Sequence, residues 1–165
     1  MSKNKNPAKP KFTPDHFHAE VEVTLNEFKQ CLKDNEGAAR VCSYIGPRVD
    51  LIRHLTKSLY EVFLNDWMSI FPREQFFVLR MEDYSKNKVY HIKRLLEFLG
   101  IKSLDVEQET NILLEEEAWK VQHKLIEELR QPIRNDTLEM LRSFFRPFNH
   151  QLATLLKDRR FMWDY

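Results

Sequence analysis

Apolar residues recur along this chain at helical spacing, in segments separated by short polar breaks. Phe17, Val21, Leu25, Phe28 and Leu32 fall three or four apart, which places them on one face of a first helix. Thr13-Pro14-Asp15 supplies its start: a hydroxyl cap, a proline at the first helical position and an acid in the first turn. Gly37 ends that helix or follows its end. Val41 to Ile45 is a short apolar patch before a Gly46-Pro47 turn, and reads as a short strand or an extended loop. Ile52, Leu55, Leu59, Val62, Phe63, Trp67, Ile70 and Phe71 then predict a helix from about Arg48 to Phe71, stopped by Pro72.

The period changes after Pro72. Phe76, Phe77, Val78 and Leu79 form a continuous apolar run, which predicts one short strand covered on both faces. It closes on Arg80, Glu82 and Asp83. Charges at the end of a buried strand lie where an open α/β sheet presents a ligand site. Ser85 is placed to cap a further helix whose core face is Val89, Ile92, Leu95, Leu96 and Leu99, with Gly100 just past its end. His91, Lys93 and Arg94 lie off that face and read as solvated. Residues 102 to 131 are strongly charged and predict helix over part of their length. Leu138, Leu141, Phe145, Phe148, Leu152 and Leu155 give a final helix, interrupted or kinked at Pro147, with Asn149 placed to bond the freed backbone groups. Asn135-Asp136-Thr137 before it is both an N-cap cluster and a glycosylation sequon. Phe161-Met162-Trp163 is expected to fold back as an aromatic clamp.

Composition narrows the chemistry. The 165 residues suffice for one domain with a full core, and a net charge of +1 gives no field for nucleic acid. There are three glycines, too sparse for a loop that wraps a phosphate through its backbone N–H groups. No apolar run is long enough to span a membrane, and the start lacks the apolar centre of a signal peptide. Residues 1 to 11, rich in Lys, Asn and Pro, read as a disordered tail. His16 and His18 point to different sides of a helix and read as surface histidines. Two cysteines with no paired histidines give no metal set.

One stretch carries a resemblance. Tyr60, Trp67, Phe71, Gln75, Phe76 to Leu79, Glu82 and Asp83 resemble, in order and spacing, the late part of the catalytic domain of Golgi carbohydrate sulfotransferases. Phe98-Leu99-Gly100-Ile101 and the later Phe144-Phe145-Arg146-Pro147-Phe148-Asn149, Leu152 and Phe161-x-Trp163 continue it. The likeness runs from about Asp15 to the end. It is strongest to the branch that adds a 6-O-sulfate to N-acetylgalactosamine 4-sulfate in chondroitin. It implies a mainly helical fold with one or two short strands, residues 12 to 165 being the C-terminal portion of an α/β, P-loop-like sulfotransferase domain.

The activity so implied is transfer of a sulfuryl group from 3′-phosphoadenylyl sulfate to a sugar hydroxyl, in the Golgi lumen, on a glycosaminoglycan acceptor. The family's Pro-Lys-x-Gly-Thr phosphosulfate loop has no counterpart here, nor does the base that follows it. No catalytic residue is therefore assigned, and the chain is expected to be weak or inactive alone. Arg53, Ser58 and Tyr60 loosely echo the family's 3′-phosphate element, but their spacing departs from it and they are not assigned.

The resemblance makes Arg80 and Glu82 cofactor-side candidates, against an ion-paired strand end as the alternative. Lys120, Lys124, Arg130 and Arg134 are the basic residues available to close over a nucleotide, against a solvated face. Arg142 and Arg146 are candidates for a sulfated sugar, against surface charges that pack their stems. Cys31 and Cys42 read either as unpaired thiols or as a disulfide, and the lumenal setting implied by the family favours the disulfide. The alternative function is a non-catalytic helical interaction module, partnered by the missing N-terminal half or by a second copy through the exposed edge of the Phe76–Leu79 strand.

Overall fold

A computed structural model describes residues 13–45, 55–129 and 131–163. Two compact units divide the chain: residues 1–65 with 131–165, and residues 66–130. The expected disordered tail lies outside the described residues, as do Gly46, Pro47 and the first part of the helix expected from Arg48.

The first unit is built on α1 (Pro14–Asp34), α2 (Ala39–Ile45), α3 (Tyr60–Met68, shared at its last turn with the other unit) and α7 (Asn135–Leu156), followed by a 3₁₀ turn at Arg159–Met162. The Thr13 hydroxyl accepts from the His16 N–H at 3.2 Å, capping α1 as its sequence predicts. One stripe of α1, Val21, Thr24, Leu25 and Phe28, is buried. Phe28 is the centre of the core. It packs with Cys42, Leu59 and Val62, and Phe144, Phe145 and Phe148 of α7 close over them. Cys31 and Cys42 form a disulfide with Cα atoms 5.8 Å apart, joining the end of α1 to α2.

That tether bears on the first correction. Val41 to Ile45 is neither strand nor loop but the body of α2. Its side chains Cys42 and Ser43 are buried, and Ser43 Oγ donates back to the Ala39 carbonyl at 2.7 Å, a bond that only a helical turn allows. The second correction concerns the long helix. Leu55–Lys57 is helical, but the backbone tightens at Ser58 and Leu59 before α3 begins. Ser58, Leu59 and Val62 donate to carbonyls three residues back. Within that offset Leu59 is fully buried.

The second unit holds a 3₁₀ turn at Arg73–Gln75, α4 (Met81–Tyr84), α5 (Lys88–Phe98) and α6 (Val106–Leu129). The predicted strand is absent: Phe76 and Arg80 have extended backbones, yet no strand exists among the described residues. An apolar run becomes a strand only when a neighbour completes its ladder. Here the run is half-buried rather than covered on both faces, with the Phe77 ring 5.5 Å from that of Phe98. The cap of α5 is Asn87, whose side chain accepts from the Tyr90 N–H at 3.1 Å. Ser85 instead donates to the Met81 carbonyl and closes α4.

Lys93, expected in solvent, reaches Glu109 of α6 at 2.6 Å. α6 opens on a reciprocal cap: Gln108 N–H donates to the Asp105 carboxylate, and the Gln108 side chain accepts from Asp105 N–H. No helix of the described residues is long and apolar enough to cross a membrane.

Candidate functional site

The cleft that concentrates the candidate chemistry lies in the first unit and has a volume of about 710 Å³. One wall is α7. Arg142, Arg146 and Asn149 stand at i, i+4 and i+7 there, so a single helical face presents two guanidinium groups and an amide. Leu138, Leu141 and Phe145 add apolar lining beside them, and Ser58 and Tyr60 line the same cleft. Arg142 Nη1 donates to Glu139 at 3.1 Å, and both side chains are largely exposed. The Arg146 side chain makes no hydrogen bond or ion pair among the described residues, so its five donors are available to a ligand in the cleft it lines.

The lip is Trp163, carried there by the turn after α7. Lys157 takes a left-handed backbone with φ 54° and donates to the Thr154 carbonyl, while Asp158 N–H donates to Ala153. The reversed chain then buries Phe161, whose ring packs edge-on at 5.6 Å against Trp163. The expected clamp therefore forms, and it shapes one side of the cleft. Pro147 lies within α7 without ending it. The Asn149 side chain, expected to bond backbone groups freed by that proline, makes no hydrogen bond among the described residues and lines the cleft instead.

Sequence reasoning singled out Arg142 and Arg146, and the structure sets both in this wall. It passed over Tyr60, Ser58 and Trp163 as site residues. Ser58 was visible only as part of an off-pattern echo whose third member, Arg53, lies outside the described residues; Tyr60 appeared both there and in the family-like pattern, but with no site role. Trp163 carried an aromatic signal but none for the turn that aims it.

The cofactor-side candidates fall in both units. Arg80, Glu82, Lys120 and Lys124 belong to the second unit, Arg134 to the first, and Arg130 lies outside the described residues. Arg80 sits just before α4 with its Nε 3.6 Å from Glu82 and 3.7 Å from Asp83, and its side chain is 11% exposed. Lys120 bonds Glu117 at 2.9 Å and Glu116 at 3.1 Å, and these two carboxylates raise its pKa. Lys124 is exposed on α6.

Arg134 holds Asp136 through both a guanidinium Nε at 3.0 Å and its terminal nitrogen, and Asp15 at 2.7 Å. Its pKa is raised in consequence, and that of Asp136 is lowered, chiefly by the bond from Arg134. Sulfotransferases use 3′-phosphoadenylyl sulfate as donor. Among the described residues the cations that could meet such an anion are mostly held by carboxylates, and neither described glycine lies in a phosphate-wrapping turn. Arg80 and Lys120 in the second unit, and Arg134 in the first, are each engaged by carboxylates rather than open to that anion.

The Arg134 cluster fixes the N-terminal end of α7 to α1. His18 Nδ1 and Thr137 Oγ1 share a hydrogen bond of 2.7 Å, and His18 lies 3.6 Å from Asp136. His18 is thus not the surface histidine its sequence suggests, whereas His16 is half-exposed beside Glu20. The N-cap of α7 is Arg134, not the Asn-Asp-Thr cluster. Asn135 is the first helical residue, and Asp136 accepts from the Thr137 N–H within the first turn.

Residues 50–134 match the sulfotransferase domain family. Carbohydrate sulfotransferase 15 of Homo sapiens is 33% identical over 150 residues, covering 90% of this chain and 26% of that protein. Carbohydrate sulfotransferase 15 of Nototodarus sloanii is 28% identical over 142 residues, 84% of this chain and 86% of its own length. The membrane-associated sulfotransferase kil1 of Dictyostelium discoideum is 28% identical over 155 residues, 90% of this chain and 28% of that protein. The chain thus spans about a quarter of the length of the human relative. No solved structure matches it.

Proposed function

The chain belongs to the sulfotransferase family, and from that membership we propose that it forms the acceptor side of a carbohydrate sulfotransferase. In this reading the full-length enzyme moves a sulfuryl group from 3′-phosphoadenylyl sulfate to a hydroxyl of a sulfated glycosaminoglycan of the chondroitin type, in the Golgi lumen. The phosphosulfate loop lies in the part of an α/β, P-loop-like domain that this chain does not contain, and the chain alone is weak or inactive. Phe76–Leu79 would be the edge of that sheet. Arg80, Glu82, Lys120, Lys124, Arg130 and Arg134 would act on the cofactor side only once that neighbour is present.

The observation that carries the reading is the α7 wall: Arg142, Arg146 and Asn149 on one face, with Tyr60 and Trp163 at the margins. Sugars offer hydroxyls and apolar ring faces, and sulfate groups suit the planar guanidinium fork, so a wall of arginine, amide and aromatic groups fits a sulfated saccharide. Calorimetric titration with a chondroitin 4-sulfate oligosaccharide tests it. Saturable binding is expected, lost in the desulfated sugar and weakened on the order of tenfold by Arg146→Ala, the scale of one charge-assisted hydrogen bond. Equal binding of both sugars, or indifference to both Arg142→Ala and Arg146→Ala, overturns it. Titration with 3′-phosphoadenosine 5′-phosphate is expected to give no heat; saturable micromolar binding would place the nucleotide site in this chain.

A second reading, the non-catalytic interaction module, is favoured by one specific observation. Trp67, Ile70 and Phe71 are 56%, 74% and 40% exposed, with the Trp67 and Phe71 rings stacked at 5.6 Å. Absence of glycan binding together with concentration-dependent oligomers would select it.

A further inference from the structure

The chain contains one Asn-x-Ser/Thr sequon, Asn135-Asp136-Thr137. Its acceptor is exposed at the first position of α7. Its hydroxyl is the reverse: Thr137 is 0% exposed and engaged by His18 at 2.7 Å. A transferase that reads this motif must reach both the Asn135 amide and the hydroxyl two residues on. In the folded unit only the first can be reached.

A separate observation concerns the compartment. The Cys31–Cys42 disulfide lies in the core, and such bonds persist in oxidising, secretory settings, where N-glycosylation also takes place. We propose that Asn135 is an N-glycosylation site whose window closes when α1 docks on α7 and His18 takes the Thr137 hydroxyl. The donor is an oligosaccharide linked to a lipid pyrophosphate. The anomeric carbon–oxygen bond to pyrophosphate breaks and a bond from that carbon to Asn135 Nδ2 forms. One proton passes from Nδ2 to a base on the transferase, and the lipid pyrophosphate leaves.

Modification therefore precedes docking of the helices. The glycan then stands at the exposed end of α7, beside the Arg134–Asp15 pair, without entering the buried contact. The rest of the sequon stays in place beneath it: Asp136 on Arg134, and Thr137 on His18.

The test uses the full chain behind a cleavable secretion leader in a eukaryotic host. It carries Asn6→Thr, which makes Asn4 the start of a reporter sequon in the tail. Among molecules glycosylated at Asn4, a second glycan removable by an amidase is expected, and Asn135→Gln abolishes it. A bare Asn135 on chains that carry the Asn4 glycan overturns the proposal. Neither readout depends on sulfation, so the outcome stands apart from the sulfotransferase reading.

The second arm offers unmodified chain to microsomal transferase and lipid-linked donor. Reduced, unfolded chain is expected to be modified, and folded, oxidised chain to react on the order of tenfold or more slowly, because opening of the buried contact limits access. Equal rates for the two forms would remove the role assigned to His18 and Thr137.

Discussion

The two units differ in how their apolar residues are used. Every fully buried hydrophobic side chain among the described residues, from Val21 to Phe161, belongs to the first unit. The second has none, although Trp67, Ile70, Phe71, Phe98, Leu113, Leu114 and Trp119 all lie in it. Sequence hydrophobicity does not separate them. The distinction is closure: in the first unit α1, α2 and α7 surround Phe28 from several sides and a disulfide holds two of them together. The second unit has α5 against α6 and an extended run with no ladder. Two long helices, a single-turn helix and one unpaired segment have no third layer with which to enclose their apolar faces.

The contrast is sharpest at Phe28. Its ring meets Phe144 edge-on at 5.2 Å and Phe148 at 6.3 Å, and it is 1% exposed. Phe28→Ala is expected to cost about 3–5 kcal/mol, the range for a buried aromatic that leaves a cavity. Chemical denaturation followed by near-ultraviolet dichroism measures it; a loss under about 1 kcal/mol would show that this core is not closed. Next in size is the disulfide. Closing an 11-residue separation is worth about 2–3 kcal/mol through restriction of the unfolded chain. Cys31→Ser with Cys42→Ser should lower the denaturation midpoint accordingly, and an unchanged midpoint would remove the tether from the explanation of why this unit closes.

Helix ends were legible at two places where local chemistry decides them. Thr13-Pro14 opens α1, and Gly100 with φ 66° closes α5 through bonds from Gly100 and Ile101 to Glu97 and Leu96. The matching turn after α7 uses Lys157, and Lys carries no signal for a left-handed backbone. Trp163 was therefore readable as an aromatic but not as the lip of a cleft. Arg142, Arg146 and Asn149 could be brought together from helical spacing. Ser58 and Tyr60 could not, because the break before α3 depends on Leu59 entering a core made by distant residues. The Phe76–Leu79 run shows the other limit: composition reports that a segment suits a strand, while the partner that makes it one is a property of another part of the chain.

Phe77→Ala tests the open side of the comparison. The ring lies 5.5 Å from Phe98 at a tilt of 46°, both residues being only partly buried. About half of a full phenylalanine burial, near 1 kcal/mol, is the expected loss. A cost equal to that of Phe28→Ala would mean that the second unit is as closed as the first.

The smallest effect lies in the polar clamp, where closure contributes little. Asp136 is 53% exposed and its pKa is lowered chiefly by the bond from Arg134; desolvation opposes that shift, and the Thr137 N–H adds a lesser lowering. A carboxyl whose folded pKa is depressed stabilises above its unfolded value, near about 3.9, and that contribution is lost as pH falls through the folded value. Asp136→Asn should therefore flatten the acid limb of the stability profile below about pH 4 and leave its shape unchanged above about pH 5. Added salt should shrink the difference between variant and parent, as it does for exposed pairs. The Lys93–Glu109 pair of the second unit is comparably exposed, and Lys93→Ala should respond to salt in the same way. A salt-resistant Asp136 effect beside a salt-sensitive Lys93 effect would show that the enclosure seen around Phe28 extends to the end of α7.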